Sequence, residues 1–206
     1  EVLARTPAGD FVAVGLNVDG LPIVEAESRG RFHLVYQAGP LGIAEGGSVF
    51  LQISPFWEWD DPQPIWPDGP GYTEVSTSAD GVVLEPLAVA PQLLAIEVQE
   101  RALAPGEQIH IVYGAGEAGA HVDRFAESKS RIWIAVDGDG DGVRRLIETN
   151  PSVLVRAQPP AFLIATVTST AEPGDEVRVT LSLLDAEGNA DPHIDGSSWE
   201  GEIAID

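Results

Sequence analysis

Cysteine and methionine are both absent from the 206 residues. Without cysteine there can be no disulfide, no thiolate metal site and no Cys nucleophile. Methionine is missing even at position 1, and the chain is expected to begin after a removed or omitted segment. Lysine is nearly absent as well: Lys129 stands alone beside ten arginines, against 33 acidic residues, for a net charge of −22. Such a surface opposes binding to polyanions, because affinity for DNA or RNA rests on neutralising phosphates with Lys and Arg. It suits an extracellular or salt-tolerant protein, and an extracellular or periplasmic location is expected. No stretch approaches the roughly 18 apolar residues of a membrane span, so membrane insertion is not expected, and no basic-then-apolar leader is present.

Helical periodicity is also scarce. Short runs rich in Val, Ile, Leu, Phe and Tyr recur between Gly, Pro, Asp and Ser, at the spacing of an all-β sandwich or barrel. Strands are predicted at 11–16, 31–36, 48–53, 72–77, 82–87, 93–100, 108–113, 131–136, 144–148 and 153–156. Three stretches echo one another, each a Gly-bearing turn leading into an alternating strand: Ala44 to Leu51, Ala104 to Ile111, and Ala171 to Val179. The step Gln158-Pro159-Pro160 reads as a boundary, since consecutive prolines stiffen the chain and cannot donate to a ladder. The expected organisation is therefore a β-sandwich over 1–157 and a partial immunoglobulin-like β-sandwich over 158–206, with strands at 162–168, 176–184 and 199–205 and a tight turn at Asp185–Asn189.

Chemistry is nearest the surface of the sequence at Asp137-Gly138-Asp139-Gly140-Asp141-Gly142, which follows the run Ile132 to Val136. Carboxylates at i, i+2 and i+4 can converge on one centre while glycines permit the sharp turns, as in a loop for a hard cation such as Ca²⁺. Counting along a twelve-residue calcium loop, Val143 would offer its carbonyl at the seventh position and Glu148 its carboxylate at the twelfth. Arg144 at the eighth position and β-like flanks point to a strand-loop-strand rather than an EF-hand. The competing reading is a bare Gly/Asp hairpin turn.

Elsewhere, Pro55 to Pro67 gathers Trp57, Trp59 and Trp66 in one proline-rich connection. These rings either cover the end of the sandwich or form a stacking platform for a glycan. Gly114-Ala115-Gly116-Glu117-Ala118-Gly119 matches a dinucleotide fingerprint, yet no crossover helix or series of βα units follows, and it reads as a loop between strands. His33 and His110 fall on the outer faces of their strands, and the four histidines have no ligand-like spacing. Neither a G-x-S-x-G elbow nor H-E-x-x-H occurs, so no catalytic residue is assigned.

The order Gly42 to Gly47, Asp61-Pro62-Gln63-Pro64, Pro70-Gly71-Tyr72, Asp123 to Glu127 and Val136 to Gly142 resembles the amino-terminal β-rich region of a bacterial family whose later part is a PHP-like metal-dependent hydrolase domain. The resemblance spans about residues 30 to 157. It implies an accessory module that positions a downstream domain of the same protein, with the metal-binding histidines belonging to that later domain. The tail around Asp185 to Asn189 resembles bacterial immunoglobulin-like adhesion and invasin modules.

Overall fold

The computed structural model describes residues 1–56 and 58–190. Trp57, His193 and the strand expected at 199–205 lie outside the described residues. The chain divides into two compact units, Glu1–Arg156 and Ala157–Asp206. Among the described residues there is no helix, and hence none long and apolar enough to cross a membrane. The fold is all-β.

In the first unit one sheet has the order β2-β1-β4-β9-β6. Its strands are β1 (Val2–Arg5), β2 (Phe11–Ala13), β4 (Arg29–Gln37), β6 (Thr73–Thr77) and β9 (Gln108–Tyr113), and β10 (Ala120–His121) adds to β4. A second has the order β13-β12-β5-β8-β7, built from β5 (Ser48–Gln52), β7 (Val83–Ala90), β8 (Leu93–Gln99), β12 (Trp133–Asp137) and β13 (Arg145–Leu146). A third, β11-β14-β3, joins β3 (Ile23–Glu25), β11 (Glu127–Arg131) and β14 (Ser152–Arg156), with β14 and β3 parallel.

Alternation decides what faces the core. Phe32, Ile109, Ile111 and Tyr113 of the first sheet and Val49, Leu51, Leu94, Ile96 and Ile134 of the second belong to one buried cluster. Trp59 joins them from the proline-rich connection, with its ring 5.6 Å from Phe32 edge-on and 6.5 Å from Tyr113. Removing a ring such as Phe32 by substitution with Ala should cost about 3–5 kcal/mol. No strand is expected from the sequence at 127–130, because Glu127-Ser-Lys-Ser-Arg has no apolar alternation; the pairing of β11 with β14 supplies what its side chains do not.

The three echoing stretches have a common geometry. Gly47 N donates to Ala44 O (3.0 Å), Glu107 N to Ala104 O (3.1 Å) and Asp175 N to Glu172 O (3.0 Å). In each turn the third residue is a glycine at positive φ: Gly46 (84°), Gly106 (84°) and Gly174 (98°). Glycine there, with proline before it in the last two, is the signature of a type II turn. At the second, Glu107 also accepts from Ala104 N and is gripped by both terminal nitrogens of Arg101 at 2.8 Å. The Arg101 hydrogen bonds pull the Glu107 carboxyl down to about 2.

In the second unit β15 (Phe162–Val167) and β16 (Val179–Leu184) form an antiparallel pair, with Phe162, Leu163 and Ile164 all exposed. The Asp185–Asn189 turn closes on Asp185 N to Asn189 O (2.9 Å), and Gly188 takes φ 86°. The Asp185 carboxylate collects the amides of Glu187, Asn189 and Gln158 and the side-chain amide of Asn189. Burial raises its pKa, but these four hydrogen bonds outweigh it and hold the carboxyl below its ordinary value.

Asp123 of the first unit has the opposite balance. It is fully buried, and only one oxygen has a firm partner, the Phe125 amide at 2.8 Å. The other oxygen and the buried Trp59 Nε1 make no hydrogen bond of good geometry, although the indole lies close enough to oppose part of the shift. Burial lifts the Asp123 pKa to about 6. A folded pKa above the unfolded value gives stability that is full below about pH 4 and is lost as pH rises past 6, by about 3 kcal/mol. Urea melts of the wild type and of Asp123→Asn should therefore diverge by up to about 3 kcal/mol in the variant's favour between pH 4 and pH 7. A difference that stays flat across that range would refute the shift.

Candidate functional site

The acidic loop leaves β12 at Asp137, whose backbone still pairs with Ser48 of β5, and returns through Arg145 of β13 opposite Val136. One carboxylate oxygen from each of Asp137, Asp139 and Asp141 lies within 4.8 Å of the others. Asp137 is buried and the other two are exposed. The loop organises itself through Asp137: Oδ1 accepts Gly140 N at 2.9 Å and Oδ2 accepts Gly142 N at 2.8 Å. Asp141 Oδ1 accepts Val143 N at 2.8 Å. Gly140 and Gly142 take φ 76° and 87°, a backbone that a side chain would strain.

The first echoing turn forms the floor beneath this loop. Ala44 N donates to Gly138 O at 2.8 Å. A Cβ on Gly47 would lie 2.9 Å from both Asp137 O and Gly138 O, so glycine is needed for the approach. Arg144 leaves the loop with its guanidinium 4.5 Å from the Phe50 ring centre. Glu45 of the turn and Glu97 and Glu100 of the β8 end line a neighbouring depression and add negative potential there.

Glu148 does not join the three aspartates. The register Ala135 to Leu146, continued by Ile147 N to Ile134 O, sets Glu148 level with Trp133, about 13 Å along the strand from Asp137. The twelve-residue count fails because the chain re-enters the sheet at Arg145, closing a hairpin where an EF-hand would still be looping. A cation here would draw on three carboxylates, with carbonyls such as that of Val143 and water completing six to eight oxygens. Each Asp137 oxygen keeps a lone pair beyond its amide bond. The donor set fits a hard cation.

Trp59 and Trp66 do not share one platform. Trp59 is a core residue, so its faces are spent on Phe32 and Tyr113. The following Asp60 anchors the connection: its carbonyl accepts from Tyr113 Oη at 2.5 Å, and Oδ2 accepts His121 N at 2.7 Å and Arg29 at 3.3 Å. Trp66 is 62% exposed, with its ring against Gly69. Gln63 freezes its loop, accepting from Ile65 N and Trp66 N and donating to Trp66 O. The glycine-rich stretch 114–119 packs against this loop: a Cβ on Gly116 would sit 2.0 Å from Pro67 O. It leads into β10 and not into a helix, so its glycines serve loop packing.

A cleft of about 790 Å³ is away from the acidic loop. It runs beside the β4 segment that β1 leaves uncovered and is lined by Leu34, Tyr36, Ile111, Ile132, Ile134 and Ile147 among others. Its walls are mostly apolar, with Glu1, His33, Lys129 and Ser152 among the polar residues on them. No protein-family model matches the chain, and no curated protein or solved structure matches it either.

Proposed function

We propose that this chain is a non-catalytic β-sandwich accessory module of a longer secreted or cell-envelope protein. Its acidic loop would bind a structural Ca²⁺ that fastens the β12–β13 hairpin, and it would position a downstream metal-dependent hydrolase domain or a partner. The observation that carries the reading is the convergence of Asp137, Asp139 and Asp141 within 4.8 Å on a loop already ordered by its own amides and floored by the Ala44–Gly47 turn. The like charges repel one another until a cation neutralises them. With Glu148 remote, the acid count supports an affinity at the weak end of calcium sites, about 10⁻⁴–10⁻³ M.

A cation bound only by the folded state stabilises it by RT ln(1 + [L]/Kd), about 2.7 kcal/mol at a hundredfold excess. Thermal melts should shift upward in Ca²⁺ relative to chelator for the wild type and for Glu148→Ala. Asp139→Asn should abolish the shift, since Asp139 makes no hydrogen bond of its own in the loop. Superimposable wild-type curves would count against the site.

The accessory role predicts no turnover of phosphate esters, sulfate esters or glycosides by the 1–206 chain with Ca²⁺, Mg²⁺, Mn²⁺ or Zn²⁺. Turnover that follows the protein through purification and is lost in Asp139→Ala would overturn it.

A second reading, a carbohydrate-binding module, draws on Trp66, an exposed indole on a loop that Gln63 holds rigid. Glycan-array binding lost in Trp66→Ala would favour it. An array without signal would remove it.

A further inference from the structure

The antiparallel pairing of β4 with β9 brings His33 and His110, 77 residues apart, onto one face of the first sheet. His33 lies opposite Val112 and His110 opposite Val35, so the two are diagonal neighbours. Their rings stack at 5.4 Å between centroids and 30° between planes, and His33 Nε2 is 3.2 Å from His110 Nδ1. Both residues are half-exposed.

Two imidazole nitrogens bound to one metal at about 2.0–2.1 Å stand roughly 3.3–3.4 Å apart in a tetrahedral site and about 2.9 Å apart at right angles. The observed separation falls between these values. The 3.2 Å contact suits an N–H···N hydrogen bond whose donor depends on the tautomer. Each neutral ring can switch tautomer and turn about its broad χ2 well to aim a lone pair at a common point. Among the described residues neither ring has another hydrogen-bond partner that would fix its tautomer.

Carboxylates flank the pair on the same face. Glu1 is level with His33 through His33 N to Glu1 O (2.8 Å), and Glu74 lies opposite Val112, diagonal to His110. Both add negative potential near the pair, and water would fill the remaining positions. We propose that His33 and His110 form a two-histidine chelate for a borderline divalent transition metal, Zn²⁺, Ni²⁺ or Cu²⁺, distinct in place and in donor chemistry from the acidic loop. Imidazole donors select these ions over Ca²⁺ and Mg²⁺.

The test uses the tag-free 1–206 chain in excess Ca²⁺, which occupies oxygen-only sites. Titration calorimetry with Ni²⁺ should give one site, weakened roughly tenfold or more in His33→Gln and in His110→Gln and unchanged in Asp139→Asn. Metal-free circular dichroism and melts of the His variants should match the wild type, because both side chains are on the outer face. Cu²⁺ paramagnetic resonance supplies a readout independent of affinity: couplings from two imidazole nitrogens in the wild type and from one in each His variant. Nickel affinity unaffected by either His substitution, or a copper spectrum with oxygen ligands alone, would overturn the assignment.

Discussion

The first unit depends on one contact: the alternating side chains of β4 and β9 meeting those of β5, β8 and β12. Phe32, Ile111 and Tyr113 on one side and Val49, Leu51, Leu94 and Ile96 on the other are almost wholly withdrawn from water. A register slip of one residue in β4, β9 or β8 would turn that set outward and bring His33, His110 or Glu97 into the core. The buried contact thus also fixes what the outer faces carry. The histidine pair and the acidic rim stand where they do because their neighbours one position away are buried.

The acidic loop inherits its place from the same register. Asp137 is at once the last ladder residue of β12 and the acceptor for the Gly140 and Gly142 amides. It links the end of a central strand to the geometry of the loop. The Ala44–Gly47 turn enters β5 from beneath, so a single pair of strands positions both the loop and its floor. Burial of Asp137 beside exposed Asp139 and Asp141 gives one anchored and two adaptable acids.

Much of this was legible in the sequence, for local reasons. The period-two runs and the Gly and Pro punctuation gave the all-β class, and the shared Gly at the third position of three turns reported a common backbone. The convergence of three aspartates followed from their spacing. What could not be read locally was set by long-range pairing. Glu148 was expected to close a twelve-residue loop, but the early return of Arg145 to the sheet carries it away. Trp59 looked like its neighbour Trp66, yet a hydrogen bond from Tyr113 to the Asp60 carbonyl draws it inward. His33 and His110 show no ligand spacing because the pairing that joins them spans 77 residues.

The central claim is that a hard cation organises the 137–142 loop. Its most direct test is a heteronuclear NMR titration of the 1–206 chain with Ca²⁺, following backbone amides residue by residue. The account predicts saturable shifts concentrated at Gly138 to Val143 and at the Ala44–Gly47 turn beneath, with the Glu148 amide nearly still. Amides of the loop that do not respond, or shifts spread evenly over the acidic surface, would contradict it.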